Sequence, residues 1–149
     1  MNGDARKNKM FGPHLTLDLY GCNPKKLNDI EFIFKFLDEL PGKLGMTRVG
    51  GPSLILYPGG GEKSFDKGGV SGFVIIAESH VSIHTFVTQR FASVDIFSCK
   101  SFNISEAEKN IIQTFEAKKI EKHFLTRGRE FPKGIKRAEA IVMSQRKKL

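Results

Sequence analysis

Hydrophobic positions recur at two different spacings along this chain, and the spacing predicts which segments are strands and which are helices. Between Pro13 and Tyr20, leucines alternate with polar residues, which predicts a strand with one buried face. From Lys25 to Leu40 the apolar residues recur at helical spacing, and Asn23 with Pro24 is typical of a helix start. Pro41 predicts the end of this helix. The face predicted to be buried comprises Leu27, Ile30, Ile33, Phe34, Leu37 and Leu40.

The middle of the chain, from Ser71 to Cys99, is rich in Val, Ile, Phe and Thr. This composition favours strands, and we predict three of them, which end near Ala77, Phe86 and Phe97. The segment from Met46 to Tyr57 predicts an earlier strand that is interrupted at Gly50-Gly51-Pro52, with Ser53–Tyr57 as its firmer half, and a glycine-rich loop follows it. The loop lacks the Gly-Lys-Ser/Thr ending of a phosphate-binding loop, so we interpret it as a flexible turn or an active-site lid.

The last third of the chain contains one further helix and one further strand. Ser105 with Glu108 matches a capping box and predicts a helix from Glu106 to Phe115. The segment from Lys119 to Thr126 predicts a strand, and a short helix is predicted from Arg137 to Ser144. This order of elements predicts the α+β class, as a two-layer sandwich of an antiparallel sheet with helices on one face.

Length and composition limit the class of protein. A chain of 149 residues predicts a single domain, residues 1–149, with a sizeable core. No apolar run is long enough to span a membrane, and the N-terminal residues lack the apolar core of a signal peptide. We therefore expect a cytoplasmic protein without a membrane partner, in which Cys22 and Cys99 are free thiols.

The net charge of +8 raises the question of a nucleic-acid partner. The basic residues are scattered, however, and the clusters at the two ends of the chain are typical of solvated tails. The chain has no basic motif interleaved with aromatic residues of the RNA-binding kind. We predict no nucleic-acid partner, and a basic nucleic-acid-binding domain is the least favoured alternative.

Reactive polar residues interrupt the apolar strands in the middle of the chain, namely Ser71, Ser79, His84 and Cys99. On a helix, His80 and His84 would lie side by side and could hold zinc with Cys99. Because the surrounding Val, Ile and Thr predict a strand, the two rings should instead lie about 13 Å apart, and we predict no metal site. Taken alone, His84 would be interpreted as a buried structural histidine. Its spacing from Ser79 and Cys99 favours a catalytic role.

These residues carry a resemblance to a known family. The run Glu78–Thr85, which reads Glu-Ser-His-Val-Ser-Ile-His-Thr, and the run Val94–Cys99 resemble the small prokaryotic S-adenosylmethionine decarboxylase proenzymes. The resemblance extends from about His14 to Arg129. It implies a self-processing, pyruvoyl-dependent decarboxylase of polyamine biosynthesis that acts on S-adenosylmethionine.

The resemblance implies that the chain cuts itself between Glu78 and Ser79. The products would be a β chain of residues 1–78 and an α chain of residues 79–149. Ser79 would become a covalent pyruvoyl group, which forms a Schiff base with the substrate amine and replaces a separate cofactor.

The resemblance also implies roles for other side chains. Ser71 and His84 would assist the self-cleavage, Cys99 would return a proton to the substrate, and Phe65 would lie against the adenine ring. The processed subunits would form a homodimer.

The chain departs from the family pattern at the position that usually binds the ribose. The family continues after the histidine with Thr-Trp-Pro-Glu, whereas this chain reads Thr85-Phe86-Val87-Thr88. Thr88 replaces the glutamate whose carboxylate accepts hydrogen bonds from the ribose hydroxyls. A pyruvoyl-dependent L-arginine or L-ornithine decarboxylase, or a non-catalytic relative, is therefore the alternative.

Overall fold

The computed structural model describes residues 12–128 and residue 144, and its centre is one antiparallel sheet of six strands. The strands are β1 (Gly12–Tyr20), β2 (Ser53–Tyr57), β3 (Gly69–Ile76), β4 (Ser79–Phe86), β5 (Phe91–Ser98) and β6 (Lys119–Arg127). The helices are α1 (Pro24–Leu27), α2 (Ile30–Lys43) and α3 (Ile104–Phe115). In the sheet the strands follow the order β2-β3-β4-β5-β1-β6.

The two faces of the sheet differ in what covers them. Alternate side chains of the strands pack against the helices and form the core, and they include Leu15, Leu17, Leu19, Val70, Val74, Val81, Ile83, Val94 and Ile96. The opposite face, called here the open face, carries none of the described helices. It presents Ile55, Ser71, Phe73, Ile75, His80, Ser82, His84, Phe86, Phe91, Ser93, Asp95, Phe97, His14, Thr16, Asp18, Tyr20, Glu121, His123, Leu125 and Arg127. The predicted sandwich with helices on one face is confirmed.

The first predicted helix is two helices in the structure. The chain leaves helical geometry at Asn28, and the Asp29 side chain then caps α2 by accepting a hydrogen bond from the backbone N–H of Phe32. The predicted end at Pro41 is wrong, because α2 continues to Lys43. A proline near the end of a helix removes a single backbone hydrogen bond, which the remaining turns tolerate.

The buried face of α2 also differs from the predicted one. Phe36 is 6% exposed, whereas Ile30 and Phe34 are 38% and 44% exposed. Because the chain breaks at Asn28 and Asp29, α2 does not continue the helical phase that begins at Lys25. Phe36 therefore faces the core in place of Phe34.

The predicted capping box of α3 is wrong by two residues. Asn103 is the N-cap, and its side chain accepts a hydrogen bond from the backbone N–H of Glu106, so the helix begins at Ile104. Asn caps helices about as well as Ser, so the match of Ser105 and Glu108 to a capping box did not exclude an earlier start. The predicted helix from Arg137 to Ser144 lies outside the described residues, apart from Ser144 itself.

None of the helices in the described part of the chain is long and apolar enough to cross a membrane.

Candidate active site

Ser79 lies at the start of β4, directly after a two-residue turn made by Ala77 and Glu78. Its backbone φ is 154°, a conformation that only glycine adopts without strain. A serine held there stores on the order of 1–3 kcal/mol. The sequence pattern predicted the turn, but the strain follows from the tertiary contacts that hold the turn in place.

Those contacts hold the two residues on the N-terminal side of the Glu78–Ser79 peptide bond. The backbone N–H of Cys99 donates a hydrogen bond of 2.8 Å to the carbonyl oxygen of Glu78. The Glu78 carboxylate is buried and accepts a 3.2 Å bond from the backbone N–H of Thr47. The backbone N–H of Ala77 donates to the carbonyl oxygen of Thr47 at 2.8 Å. A nucleophile that attacks the Glu78 carbonyl would therefore find a hydrogen-bond donor already in place for the oxyanion.

Ser71 and His84 form a pair on the open face. They lie directly opposite each other on β3 and β4, and Oγ of Ser71 is 2.8 Å from Nδ1 of His84. His84 lies five positions beyond Ser79 on the same strand, which corresponds to about 16 Å at 3.3 Å per residue. Within one subunit this pair cannot reach the Glu78–Ser79 bond.

The two thiols have different environments. Cys99 is exposed immediately after β5, next to Ser98, which pairs with Ser79. Cys22 is buried in the core, and this burial raises its pKa to about 11. Cys99 is therefore the thiol that a substrate can reach.

Phe65 lies in a small pocket at the other end of the sheet. The pocket has a volume of about 240 Å³ and is lined by Tyr20, Phe65, Phe86, Gln89 and Phe91. We call it the aromatic pocket. The rings of Phe65 and Phe86 are stacked with centroids 6.3 Å apart, and Phe65 is 77% exposed. The exposed face of such a ring can stack on a planar ligand.

Thr88 lies on the exposed turn beside the aromatic pocket and is not among its lining residues. Gln89 lines the pocket instead, and its amide nitrogen donates a hydrogen bond to the backbone carbonyl of Phe65. The sequence did not single out Gln89, because nothing in a turn motif shows which side chain points back to a loop.

The aromatic pocket and Ser79 lie at opposite ends of β4. Phe86, which lines the pocket, is seven positions from Ser79, or about 23 Å along the strand. The structure thus brings Glu78, Ser79 and Cys99 together at one end, and it places Phe65 and Thr88 at the other.

A second group of side chains surrounds Phe97 near the Ser79 end of the open face. The ring of Phe97 lies 5.5 Å from that of His14 and 5.8 Å from that of His80, and the Arg127 guanidinium lies 4.2 Å from it. We call these four residues the Phe97 cluster. Burial lowers the pKa of His80, and the neighbouring His14 lowers it further.

The pairing of β1 with β6 also brings together three side chains of metal-binding type that the sequence did not single out. The ligand atoms of Asp18, Glu121 and His123 lie within 4.8 Å of one another on the open face. The alternation of each strand was visible in the sequence, but the pairing of β1 with β6 was not.

Comparison with known proteins gives one consistent result. The family described as S-adenosylmethionine decarboxylase matches residues 13–128. An S-adenosylmethionine decarboxylase proenzyme of a Geobacillus species is 36% identical over 134 residues, which cover 88% of this chain and 98% of that protein. The proenzyme of Archaeoglobus fulgidus is 32% identical over 120 residues, or 80% of this chain and 99% of that protein.

A solved structure agrees with these relatives. The adenosylmethionine decarboxylase from Aquifex aeolicus superposes with a TM-score of 0.65 at 29% identity, and the match covers 80% of this chain and 92% of that one.

Proposed function

This chain belongs to the S-adenosylmethionine decarboxylase family, and we propose that it is a self-processing proenzyme whose cleaved form decarboxylates S-adenosylmethionine for polyamine biosynthesis. The observation that carries the proposal is the strained Glu78–Ser79 bond, whose carbonyl oxygen accepts the Cys99 N–H. Both features act on the one peptide bond that this proenzyme must cut.

Self-cleavage uses the Ser79 hydroxyl as the nucleophile. Its oxygen attacks the Glu78 carbonyl carbon, and the Cys99 N–H stabilises the negative charge that develops on the carbonyl oxygen. The C–N bond then breaks and leaves an ester between Glu78 and Ser79. A base then removes the Cα proton of Ser79 and the Cβ–O bond of the ester breaks, which releases residues 1–78 with a free carboxylate and leaves a dehydroalanine at the new N-terminus. The new N-terminus hydrolyses to a pyruvoyl ketone with loss of ammonia.

The pyruvoyl group supplies an electrophilic ketone that binds the substrate amine and accepts the electrons released with carbon dioxide. The residues around Ser79 fit such a group, because Ser79 is the residue under strain and an exposed thiol lies beside it. Cys99 returns a proton to the substrate α-carbon.

The active site is completed by a second copy of the chain in a homodimer. Within one subunit the Ser71–His84 pair and the aromatic pocket are about 16 Å and about 23 Å from Ser79, too far for either to act there. Two open faces packed with opposite strand directions would bring these groups of one subunit to Ser79 of the other. Large apolar side chains on this face are exposed, with Ile55 at 65% and both Phe73 and Ile75 at 46%, as expected of an interface.

In that dimer Ser71 and His84 assist the self-cleavage and Phe65 stacks on the adenine ring. The aromatic lining favours S-adenosylmethionine over the smaller substrates, because arginine and ornithine have no ring to stack. Thr88 supports the alternative of an L-arginine or L-ornithine decarboxylase, since it offers the ribose no carboxylate.

The test has two parts. The intact mass of the denatured protein should show two fragments split at Glu78–Ser79, and the cleaved protein should release carbon dioxide from S-adenosylmethionine. One uncut chain would contradict the self-processing proposal. Release of agmatine or putrescine from arginine or ornithine, without turnover of S-adenosylmethionine, would establish the alternative.

A further inference from the structure

Arg127 lies at the end of the sheet that also carries Ser79 and Cys99. It is at the end of β6, far from Ser79 and Cys99 in sequence, yet its guanidinium is 4.2 Å from the centre of the Phe97 ring. Phe97 pairs with His80, the residue after Ser79, and lies two positions before Cys99. Two positions on one strand face correspond to about 7 Å, within the length of an arginine side chain.

Gly12 makes this approach possible. It lies opposite Arg127 on β1, and a Cβ at this position would be 2.8 Å from the Phe97 ring and 2.9 Å from the Arg127 carbonyl oxygen. A side chain on residue 12 would therefore push Phe97 and the end of β6 apart. With glycine, the Arg127 guanidinium can lie over the ring.

Of the three nitrogen-bearing side chains in the Phe97 cluster, Arg127 is the one that offers a permanent positive charge. His14 is hydrogen-bonded to Asp95 at 3.0 Å, so its partner is within the protein. Burial and His14 lower the pKa of His80, which favours the neutral ring. Arginine stays protonated at all relevant pH values. Within residues 12–128, no carboxylate lies at ion-pair distance from Arg127.

We propose that Arg127 binds the α-carboxylate of the amino-acid substrate at the Ser79–Cys99 end of the open face, a role that rests on the proposed decarboxylase function. The guanidinium presents two parallel N–H donors that match the two carboxylate oxygens. Contact with the Phe97 ring holds its plane, so little side-chain freedom is lost on binding. This places the carboxylate next to Cys99, which acts on the same α-carbon.

The test compares a ligand that has the carboxylate with one that lacks it. Arg127→Met keeps an apolar contact with Phe97 and removes the charge, whereas Arg127→Lys keeps the charge and loses the paired donors. In the cleaved enzyme, Arg127→Met should weaken binding of S-adenosylmethionine by about 10- to 100-fold, the range for a lost hydrogen bond between charged groups. Inhibition by the decarboxylated product should stay unchanged, and Arg127→Lys should be intermediate.

A matched control is Lys122→Ala, which removes a cation from the same strand. The Lys122 ammonium bonds to Glu108 of α3 on the other face of the sheet, so both ligands should bind as in the wild type. Equal weakening of both ligands by Arg127→Met would overturn the proposal, since it would show a general packing role. So would unchanged binding of S-adenosylmethionine, or an Arg127→Met chain that no longer cleaves itself.

Wild-type turnover tests the proposed function separately. If arginine or ornithine is the substrate, the same comparison is made between that amino acid and its amine. If the wild type turns over none of the three, the proposed function fails. Calorimetric binding of S-adenosylmethionine and of its decarboxylated product to wild type and Arg127→Met then still decides the role of Arg127.

Discussion

At the scale of single residues, Ser79 combines a nucleophilic side chain with a backbone conformation that serine rarely adopts. Its φ of 154° raises the free energy of the uncut hairpin, and the Cys99 N–H lowers the free energy of the charge that develops during attack. Both effects would reduce the barrier to the proposed cleavage of this peptide bond.

Two replacements of Ser79 test the role of its hydroxyl and the strain of its backbone separately. Ser79→Ala and Ser79→Gly should both remain single chains by intact mass, because neither has a hydroxyl. Thermal or urea unfolding should show the glycine variant to be more stable than the alanine variant by about 1–3 kcal/mol, since glycine adopts this φ without strain.

The matched control is the same pair of changes at Ser82, three positions along β4. There glycine should be less stable than alanine by about 0.5–1 kcal/mol, as in an ordinary strand. An alanine variant at Ser79 that equals the glycine variant in stability would show that the turn is not strained.

Cys22 makes stability depend on pH in the alkaline range. Burial raises the pKa of this thiol from 9.0 to about 11, so the folded state keeps a proton that the unfolded chain releases. Its contribution to the free energy of unfolding is complete below pH 9 and is lost as the pH rises through about 11.

Urea unfolding of the uncleaved Ser79→Ala protein should therefore show a fall in stability over this range, and adding Cys22→Ala should make the fall shallower. If the free energy of unfolding fell equally steeply with pH with and without Cys22, the raised pKa of this thiol would be contradicted.

At the scale of secondary-structure elements, the junction of α1, β3 and β4 depends on Gly69 and Thr85. The Thr85 hydroxyl accepts a 2.8 Å bond from the backbone N–H of Val70 and donates a 2.8 Å bond to the carbonyl oxygen of Leu27. A Cβ at Gly69 would lie 1.9 Å from the Thr85 carbonyl oxygen, so the two strands approach each other too closely for any side chain there.

Gly69→Ala in the uncleaved background should lower the free energy of unfolding by about 3 kcal/mol or more, because the backbone must move to admit the methyl group. The control is Gly42→Ala in α2, where a Cβ meets nothing within 4 Å. There alanine should raise stability by about 0.5–1 kcal/mol through its helix propensity. A small effect at Gly69 would show that β3 and β4 can separate without loss of other contacts.

At the scale of the whole molecule, the distance between Ser79 and the Ser71–His84 pair has a functional consequence. The Ser71–His84 pair is about 16 Å from Ser79 and cannot assist cleavage within its own subunit. A second subunit packed against the open face could place its own Ser71–His84 pair next to Ser79. In the proposed homodimer, activation of each subunit would therefore depend on the other.

One inactive variant should therefore restore cleavage of the other. Ser79→Ala keeps His84 but cannot be cut, and His84→Ala keeps Ser79 but lacks the assisting imidazole. Alone, each should remain uncleaved or nearly so. Co-expressed with distinguishable tags, the His84→Ala chain should be cut and the Ser79→Ala chain should stay intact, as read by intact mass.

Two outcomes would contradict action between subunits. One is an uncut His84→Ala chain in a purified mixed dimer. The other is efficient cleavage of His84→Ala by itself. A single-chain mass for both variants combined with a monomer by light scattering would remove the homodimer from the proposal.

The sequence by itself determined the elements of the fold and the chemical identity of the candidate site. Alternation predicted β1 and the strands around Ser79, since one face of each strand must be buried whatever its neighbours are. The spacing of Glu78, Ser79, His84 and Cys99 indicated the family, which the comparisons confirmed.

Only the tertiary structure decided which of these residues meet. The order β5-β1-β6 brings Arg127 over Phe97, and the contact of the hairpin with Cys99 places an N–H on the Glu78 carbonyl. Helix boundaries were also decided there, since α2 and α3 begin where Asp29 and Asn103 satisfy free N–H groups. The physical reason is that pairing and register depend on hydrogen bonds and packing between distant segments, whereas periodicity records only which side of a segment is buried.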